Sequence, residues 1–339
     1  MPPTPSIVFA NVTCRFGGKY ILLDLAEEIA IPAFTDSSLK RRYGPTSYFF
    51  IDVGILDVSV EDAEEPQLTI YGRFVKDTVL TRSQTYSLET GLVPDDGSLA
   101  SAPSSFFALD LNNHKLAYLP ETSYAPSIAV FASTVQTFMR RKHIAFVRAL
   151  YELSKTTDQP ISLTSLFEEY PAPDVDATPM ANKASITEFL NAFSTLTHLE
   201  FRILQTNAEI SRQETFRALQ AMKNDISATS TKLIHDSKDG LNIRVATEEI
   251  NASAAAGNQK VVLAGQAEDG TQLRGSNDSF KLRVAADDAP AAPTAKAAYM
   301  VKEYFKQVKN GLLRPDLSEG ESQKITKIRE NLGGSINQG

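Results

Sequence analysis

Two tetrapeptides concentrate positive charge in this chain: Lys40-Arg41-Arg42-Tyr43 and Arg140-Arg141-Lys142-His143. Guanidinium forks and ammonium groups gathered in this way pair with phosphate oxygens, and an aromatic neighbour adds a surface on which a base or sugar can rest. The first tetrapeptide precedes Gly44-Pro45 and therefore reads as a loop. The second interrupts an amphipathic helix. Four consecutive helical residues sweep nearly a full turn, so they cannot all face one way. Arg141 and Arg148 are seven residues apart and share a face, roughly in line with Lys155, which makes a ridge able to track a phosphate backbone. The alternative is an ordinary solvated helix face. Lys260, Arg274, Lys281 and Arg283 form a second basic strip on a predicted strand meander, where alternation puts Lys281 and Arg283 on one face.

Catalytic patterns are not found. The sequence has no glycine-rich phosphate loop ending in Gly-Lys-Ser/Thr, no Gly-x-Gly-x-x-Gly, no His-Glu-x-x-His and no Gly-x-Ser-x-Gly. Gly17-Gly18-Lys19 lacks the flanking residues of a phosphate cradle and reads as a hairpin turn. The four histidines, His114, His143, His198 and His235, fall in separate elements without ligand-like spacing. Glu268, Asp269, Asp278 and Lys281 invite comparison with a metal-dependent nuclease, but carboxylates in turns more often satisfy backbone amides locally. The acidic run Glu61-Asp62-Glu64-Glu65 reads as a solvated loop. Cys14 has no partner for an internal disulfide and reads as a small buried apolar residue. No cofactor is called for.

The 339 residues are enough for two domains, with 42% hydrophobic and 22% charged residues, as in folded globular proteins. No run approaches the roughly 20 apolar residues of a membrane span. The start, Met1-Pro2-Pro3-Thr4-Pro5, lacks the basic and apolar regions of a signal peptide, so the expected location is the cytoplasm. The net charge of −7 opposes polyanion binding unless the bases segregate. They do segregate along the chain: residues 51–125 hold twelve acids and four bases, whereas 126–155 hold five bases and one acid.

The elements that must position these residues fall into two halves. Ser6–Cys14, Ser47–Val60, Leu68–Val75, Val79–Leu88, Phe106–Leu111 and Lys115–Leu119 read as strands, suggesting a barrel or strongly curved antiparallel sheet. Tyr20–Ala30 is ambiguous between helix and strand. A helix starts near Ser127 and carries the second basic cluster. Residues 171–183 read as an exposed proline-rich connection. Ser185, with Glu188 three residues on, has the form of a helix cap. His198–Leu204 is a strand, 211–234 a helix, Leu241–Val245 a short strand and Thr247–Ala255 a helix. Lys260–Ala267, Thr271–Arg274 and Phe280–Val284 form the meander. Ala295–Leu313 is a helix whose apolar stripe serves either a dimer interface or the chain's own core. The expectation is an α+β protein: a β-rich, barrel-like domain over 1–125, a helical connection over 126–170, an α+β domain with a mixed or antiparallel sheet over 184–313, and a flexible tail over 314–339.

The order of elements in Ile186–Ala285 resembles a family. The residues that carry the likeness are Leu199-Glu200-Phe201-Arg202-Ile203, Thr206-Asn207-Ala208-Glu209, Asp239-Gly240-Leu241-Asn242-Ile243 and Lys260-Val261-Val262-Leu263-Ala264-Gly265 with the Asp269-Gly270 turn. Upstream, Leu39-Lys40-Arg41-Arg42-Tyr43 and Ser104-Ser105-Phe106-Phe107-Ala108-Leu109 fit the same pattern. The family is one of uncharacterised bacterial and phage proteins that distantly resembles the lambda exclusion protein RexA. The resemblance implies a homodimer that binds double-stranded DNA without strong sequence preference and acts in phage exclusion or antiphage defence, with no catalytic residues. It leaves open a scaffold role toward a partner protein of a defence complex, and a nuclease with a diffuse site. The high negative charge is the departure from this pattern.

Overall fold

A computed structural model describes residues 5–61, 63, 65–204, 209–210, 214–226, 228, 230–254, 256–315, 317–318 and 321–338. Asp62 and Glu64 of the acidic run, and Thr206, Asn207 and Ala208 of the family likeness, lie outside them.

The first stretch contains β1 (Ser6–Phe16), β2 (Tyr20–Ile21), α1 (Ile31–Thr35), β3 (Arg41–Tyr43), β4 (Thr46–Val58), β5 (Gln67–Ser87), β6 (Gly91–Ser101), β7 (Ser104–Asp110) and β8 (Lys115–Pro120). Short 3-10 and π segments over Leu22–Ala30 lead into α1, which settles the ambiguous Tyr20–Ala30 stretch mainly as helix. Next come α2 (Ile128–Ser154), α3 (Leu163–Glu169), β9 (Pro173–Pro179), α4 (Lys183–Leu190), β10 (Thr195–Ile203), β11 (Glu209–Ile210), α5 (Glu214–Asp225) and β12 (Thr231–Asp236). The chain continues with α6 (Ile243–Ala254), β13 (Gln259–Gln266), β14 (Gln272–Ser276), β15 (Arg283–Ala285), α7 (Pro293–Lys309), β16 (Leu317–Ser318), α8 (Ser322–Leu332) and β17 (Ile336–Gln338).

The class is α+β, and the first sheet is open, not a barrel. Its order is β15-β1-β8-β7-β5-β4-β17, with β2 and β9 added on β1, β3 on β4 and β6 on β5. Only β17, against β4, is parallel among these pairs. The open form follows from burial on both faces. Along β1, Val8, Ala10, Val12, Cys14 and Phe16 enter one core, and Ile7 and Phe9 the other. Phe107 and Leu109 of β7 face the first core, and Phe106 and Ala108 the second. Strands covered on both sides read as continuous apolar runs, as Phe106–Leu109 does. Helices α1, α2 and α8 cover the first face and α7 the second. The stripe on α7 is therefore intramolecular core.

Five local expectations differ from the structure. Residues 173–179 form β9, antiparallel to β1 over seven residue pairs from Phe16↔Pro173 to Ala10↔Pro179, where an exposed loop was expected. The segment expected as a flexible tail contains α8, whose Ile325 and Ile328 are buried in the first core, and β17. The cap of α4 is Asn182, not Ser185: its side chain accepts from the Ser185 amide at 2.8 Å while the Ser185 hydroxyl faces the Asn182 amide at 3.3 Å. Leu241–Val245 is not a strand, since Ile243 already begins α6, and 231–236 is strand β12, not helix. The second sheet, β12-β10-β13-β14, packs Leu199, Phe201, Val261 and Leu263 beneath α4, α5 and α6.

One feature of the first sheet has no sequence precursor. Leu68–Val75 and Val79–Leu88 are one strand, β5. Up to Asp77 it lies between β4 and β7; from Thr78 it pairs only with β6. The result is a two-stranded ribbon about 34 Å long leaving the sheet.

Candidate nucleic-acid interface

Helix α2 begins where Ser127, the residue after Pro126, accepts from the Val130 amide with its side chain. At 27 residues it spans about 40 Å. Phe131 anchors it, with ring centroids 5.2–6.2 Å from Phe34, Phe50, Phe74, Phe107 and Tyr118. That packing fixes the direction of the basic run two and a half turns further on. Arg140 and Arg141 are exposed, Lys142 is half-buried, and His143 is buried with Nε2 2.6 Å from the Tyr170 carbonyl oxygen. Arg140 Nε donates to the Pro173 carbonyl at 3.4 Å.

Strand β3 brings the first basic cluster to this helix. Arg141 Nη1 donates to the Lys40 carbonyl oxygen at 2.9 Å. Arg41 Nη1 donates to Ser133 Oγ at 2.8 Å and Thr134 Oγ1 at 3.0 Å on α2. Its guanidinium also lies 5.9 Å from the Tyr48 ring centroid. Lys40 Nζ lies 4.9 Å from the centre of the Phe49 ring. Arg42 is exposed, and so is Tyr43 beside it. Lys142 is neutralised: it pairs with Asp36 at 2.5 Å and, with Ser38, holds that carboxyl down at about 2. Arg148 is exposed two turns beyond Arg141, and Lys155 pairs with Glu152 at 2.8 Å. The sheet register adds a base that sequence reading does not find: Arg41 opposes Tyr48, and Tyr48 opposes Lys76, so all three lie on one face. Only strand pairing carries that signal.

The second strip does not form. Phe280 belongs to the core under the second sheet and Leu282 to the core under α7, so the chain crosses between sheets at Lys281. Arg283 consequently lies on β15 beside β1, while exposed Arg274 stays on β14 of the other sheet. Lys281 pairs with Asp278 at 3.0 Å, and Lys260 pairs with Asp176. Asp174, Asp176 and Asp278 line a cleft of about 450 Å3 between α2, β9 and the second sheet. Carboxylates thus separate Lys260 and Lys281 from the α2–β3 group.

Among the described residues, no three His, Cys, Asp or Glu side chains lie close enough to hold a metal ion. Asp269 Oδ1 accepts from the Thr271 amide at 2.9 Å in its turn. Gly17 and Gly18 form the turn between β1 and β2. His114 sits in the β7–β8 turn with φ of 55° and is buried 3.5 Å from Glu321, and His198 Nδ1 faces Asp236 at 2.7 Å. Burial pushes the Cys14 thiol upward, and its Sγ lies 3.6 Å from Met139 Sδ. No helix of the described residues is long and apolar enough to cross a membrane. No family model and no curated protein matches this chain.

Proposed function

We propose that this chain binds double-stranded DNA through its phosphate backbone along the edge made by β3 and α2, without strong sequence preference and without a catalytic step. The observation that carries the reading is the Arg141–Lys40 contact, which joins two basic clusters a hundred residues apart into one surface. Lys40, Arg42, Arg140, Arg141 and Arg148 contribute the exposed charge. Lys76 and Arg41 back the surface from the sheet. The rest of the molecule is anionic in sum, and Asp176 and Asp278 already pair with Lys260 and Lys281, which draws the footprint to this edge. The resemblance to proteins of phage exclusion supports a role for that binding in antiphage defence.

About five phosphate contacts give a slope near −4.5 in log affinity against log salt. Electrophoretic titration of a duplex over salt is expected to show that dependence. Arg141→Glu and Arg148→Glu should each weaken binding about tenfold or more at low salt, whereas Lys281→Glu should leave it unchanged. Equal losses at Lys281, or no shift of the duplex at low salt, defeats the reading. Duplex cleavage that requires magnesium would replace it with a nuclease. A second reading, a scaffold component of a defence complex, is favoured by the ribbon of β5 and β6, which leaves the sheet with apolar residues in water.

A further inference from the structure

A cleft of about 650 Å3 opens between α4, α6 and the turn that follows α7, and no residue of the β3–α2 edge lines it. Helix α4 supplies one wall. Its Ile186 and Leu190 are buried in the core of the second sheet. The opposite face, where Lys183, Thr187 and Asn191 recur every four residues with Glu188 alongside, turns to the cleft. Asn251 of α6 extends that wall. The other wall follows from Gly311, whose φ of 70° turns the chain at the end of α7. Leu313 then enters the core under α7 and is 1% exposed, while Leu312 and Arg314 on either side of it line the cleft. Leu312 is left 41% exposed there.

We propose that this cleft binds a nucleoside monophosphate, a site separate from the DNA-binding edge and not dependent on it. Three observations select that class. First, the cleft has a cation on each wall. Lys183 and Arg314 form no ion pair among the described residues, unlike Lys296 and Lys306 of the neighbouring α7, which reach Glu121 and Glu303 at 2.9 Å. Glu188 is five positions from Lys183, outside the three- and four-residue spacings at which a helical acid and base meet. An ammonium and a guanidinium that converge from two walls hold a phosphate group. Two bases and one acid leave one net positive charge, which suits a single phosphate better than a di- or triphosphate. Second, the uncharged part of the lining suits a sugar. The Thr187 hydroxyl is used within the helix, donating to the Lys183 carbonyl at 2.7 Å. The side chains of Glu188, Asn191 and Asn251 have no hydrogen-bond partner among the described residues, and a carboxylate with two carboxamides can both accept from and donate to ribose hydroxyls. Third, Leu312 offers an apolar surface beside these polar groups, as the flat face of a base requires. The volume lies in the range of about 300–1,000 Å3 that small-ligand sites occupy.

Calorimetric titration of the full chain with AMP, GMP, CMP and UMP, and with ribose 5-phosphate and inorganic phosphate, tests this without nucleic acid. At least one nucleotide is expected to bind more tightly than ribose 5-phosphate, and ribose 5-phosphate more tightly than phosphate. Lys183→Gln and Arg314→Gln should each weaken the nucleotide about tenfold or more. Both side chains are exposed, so the thermal midpoint of the unliganded chain should not move. Asn191→Ala should weaken the nucleotide and ribose 5-phosphate but not inorganic phosphate. Leu312→Ser should weaken the nucleotide but not ribose 5-phosphate. Arg141→Glu should leave nucleotide affinity unchanged whatever it does to duplex binding, so the two readings fail separately. No binding of any of the four nucleotides at about 1 millimolar overturns the proposal. So does wild-type affinity in Arg314→Gln, ribose 5-phosphate binding as tightly as the best nucleotide, or loss of nucleotide binding in Arg141→Glu.

Discussion

Asp110 shows how far a residue's neighbourhood departs from its type. It closes β7 at the turn into β8 and is buried, accepting from the Asn112 amide and from Asn113 Nδ2, both at 2.9 Å. Loss of solvent pushes its carboxyl up to about 6, and the two asparagine contacts and Lys115 only partly oppose this. The folded state therefore keeps a proton that the unfolded state has released between pH 3.8 and about 6. Stability from this group is fully present below that window and is lost as pH rises through it. Asp110→Asn removes the titration. Relative to wild type, the variant should gain about 2–3 kcal/mol between pH 4 and pH 7 in urea denaturation. Parallel stability curves for the two proteins would mean that Asp110 is solvated. At the same scale, the sequence identifies Arg140, Arg141 and Arg148 as bases on one helix, and nothing local reveals that Lys142 is neutralised by Asp36 from 106 positions away.

Elements whose signals are local form where the sequence places them: α2 after Ser127, the turn at Gly17-Gly18, and the strands β1, β7 and β8. Those with competing signals do not. The Asn182 cap outcompetes Ser185 because its side chain reaches the third amide of the helix, and Ser185 then serves as the reciprocal partner. Pro94 and Gly97 hide β6 from a propensity reading, since both weaken strands, yet an unflanked ribbon accepts them on its free edge. Packing between elements gives another check. Gly275 of β14 lies under Phe189 of α4, where a Cβ would overlap the ring. Gly275→Ala should cost about 1–3 kcal/mol in chemical denaturation. Gly18→Ala, with open space around the site, is the control. A cost no larger than the control's would mean that α4 shifts freely on the sheet.

The first sheet takes strands from the whole chain: β9 from 173–179, β15 from 283–285 and β17 from 336–338 join strands of the first 120 residues. Arg329 Nε reaches Asp57 at 3.1 Å, and Lys296 reaches Glu121 at 2.9 Å, so α8 and α7 are fastened to the sheet by charge as well as by apolar contact. Ile325→Ala and Ile328→Ala are each expected to cost about 2–4 kcal/mol of global stability, seen as one cooperative transition at lower denaturant. A mobile C-terminal segment would show no loss. The sequence by itself determined the α+β class, the start of α2, the presence of strands β1, β7 and β8, and the identity of the basic residues, because each rests on periodicity or on contacts a few positions apart. The tertiary structure alone decided that the sheet stays open, that residues 173–179 and the C-terminal segment complete it, and that Lys40–Arg42 lies against α2 while Lys260 and Lys281 lie among carboxylates. Those outcomes depend on which buried side chains share a core, and that is a property of pairs distant in sequence which no local pattern encodes.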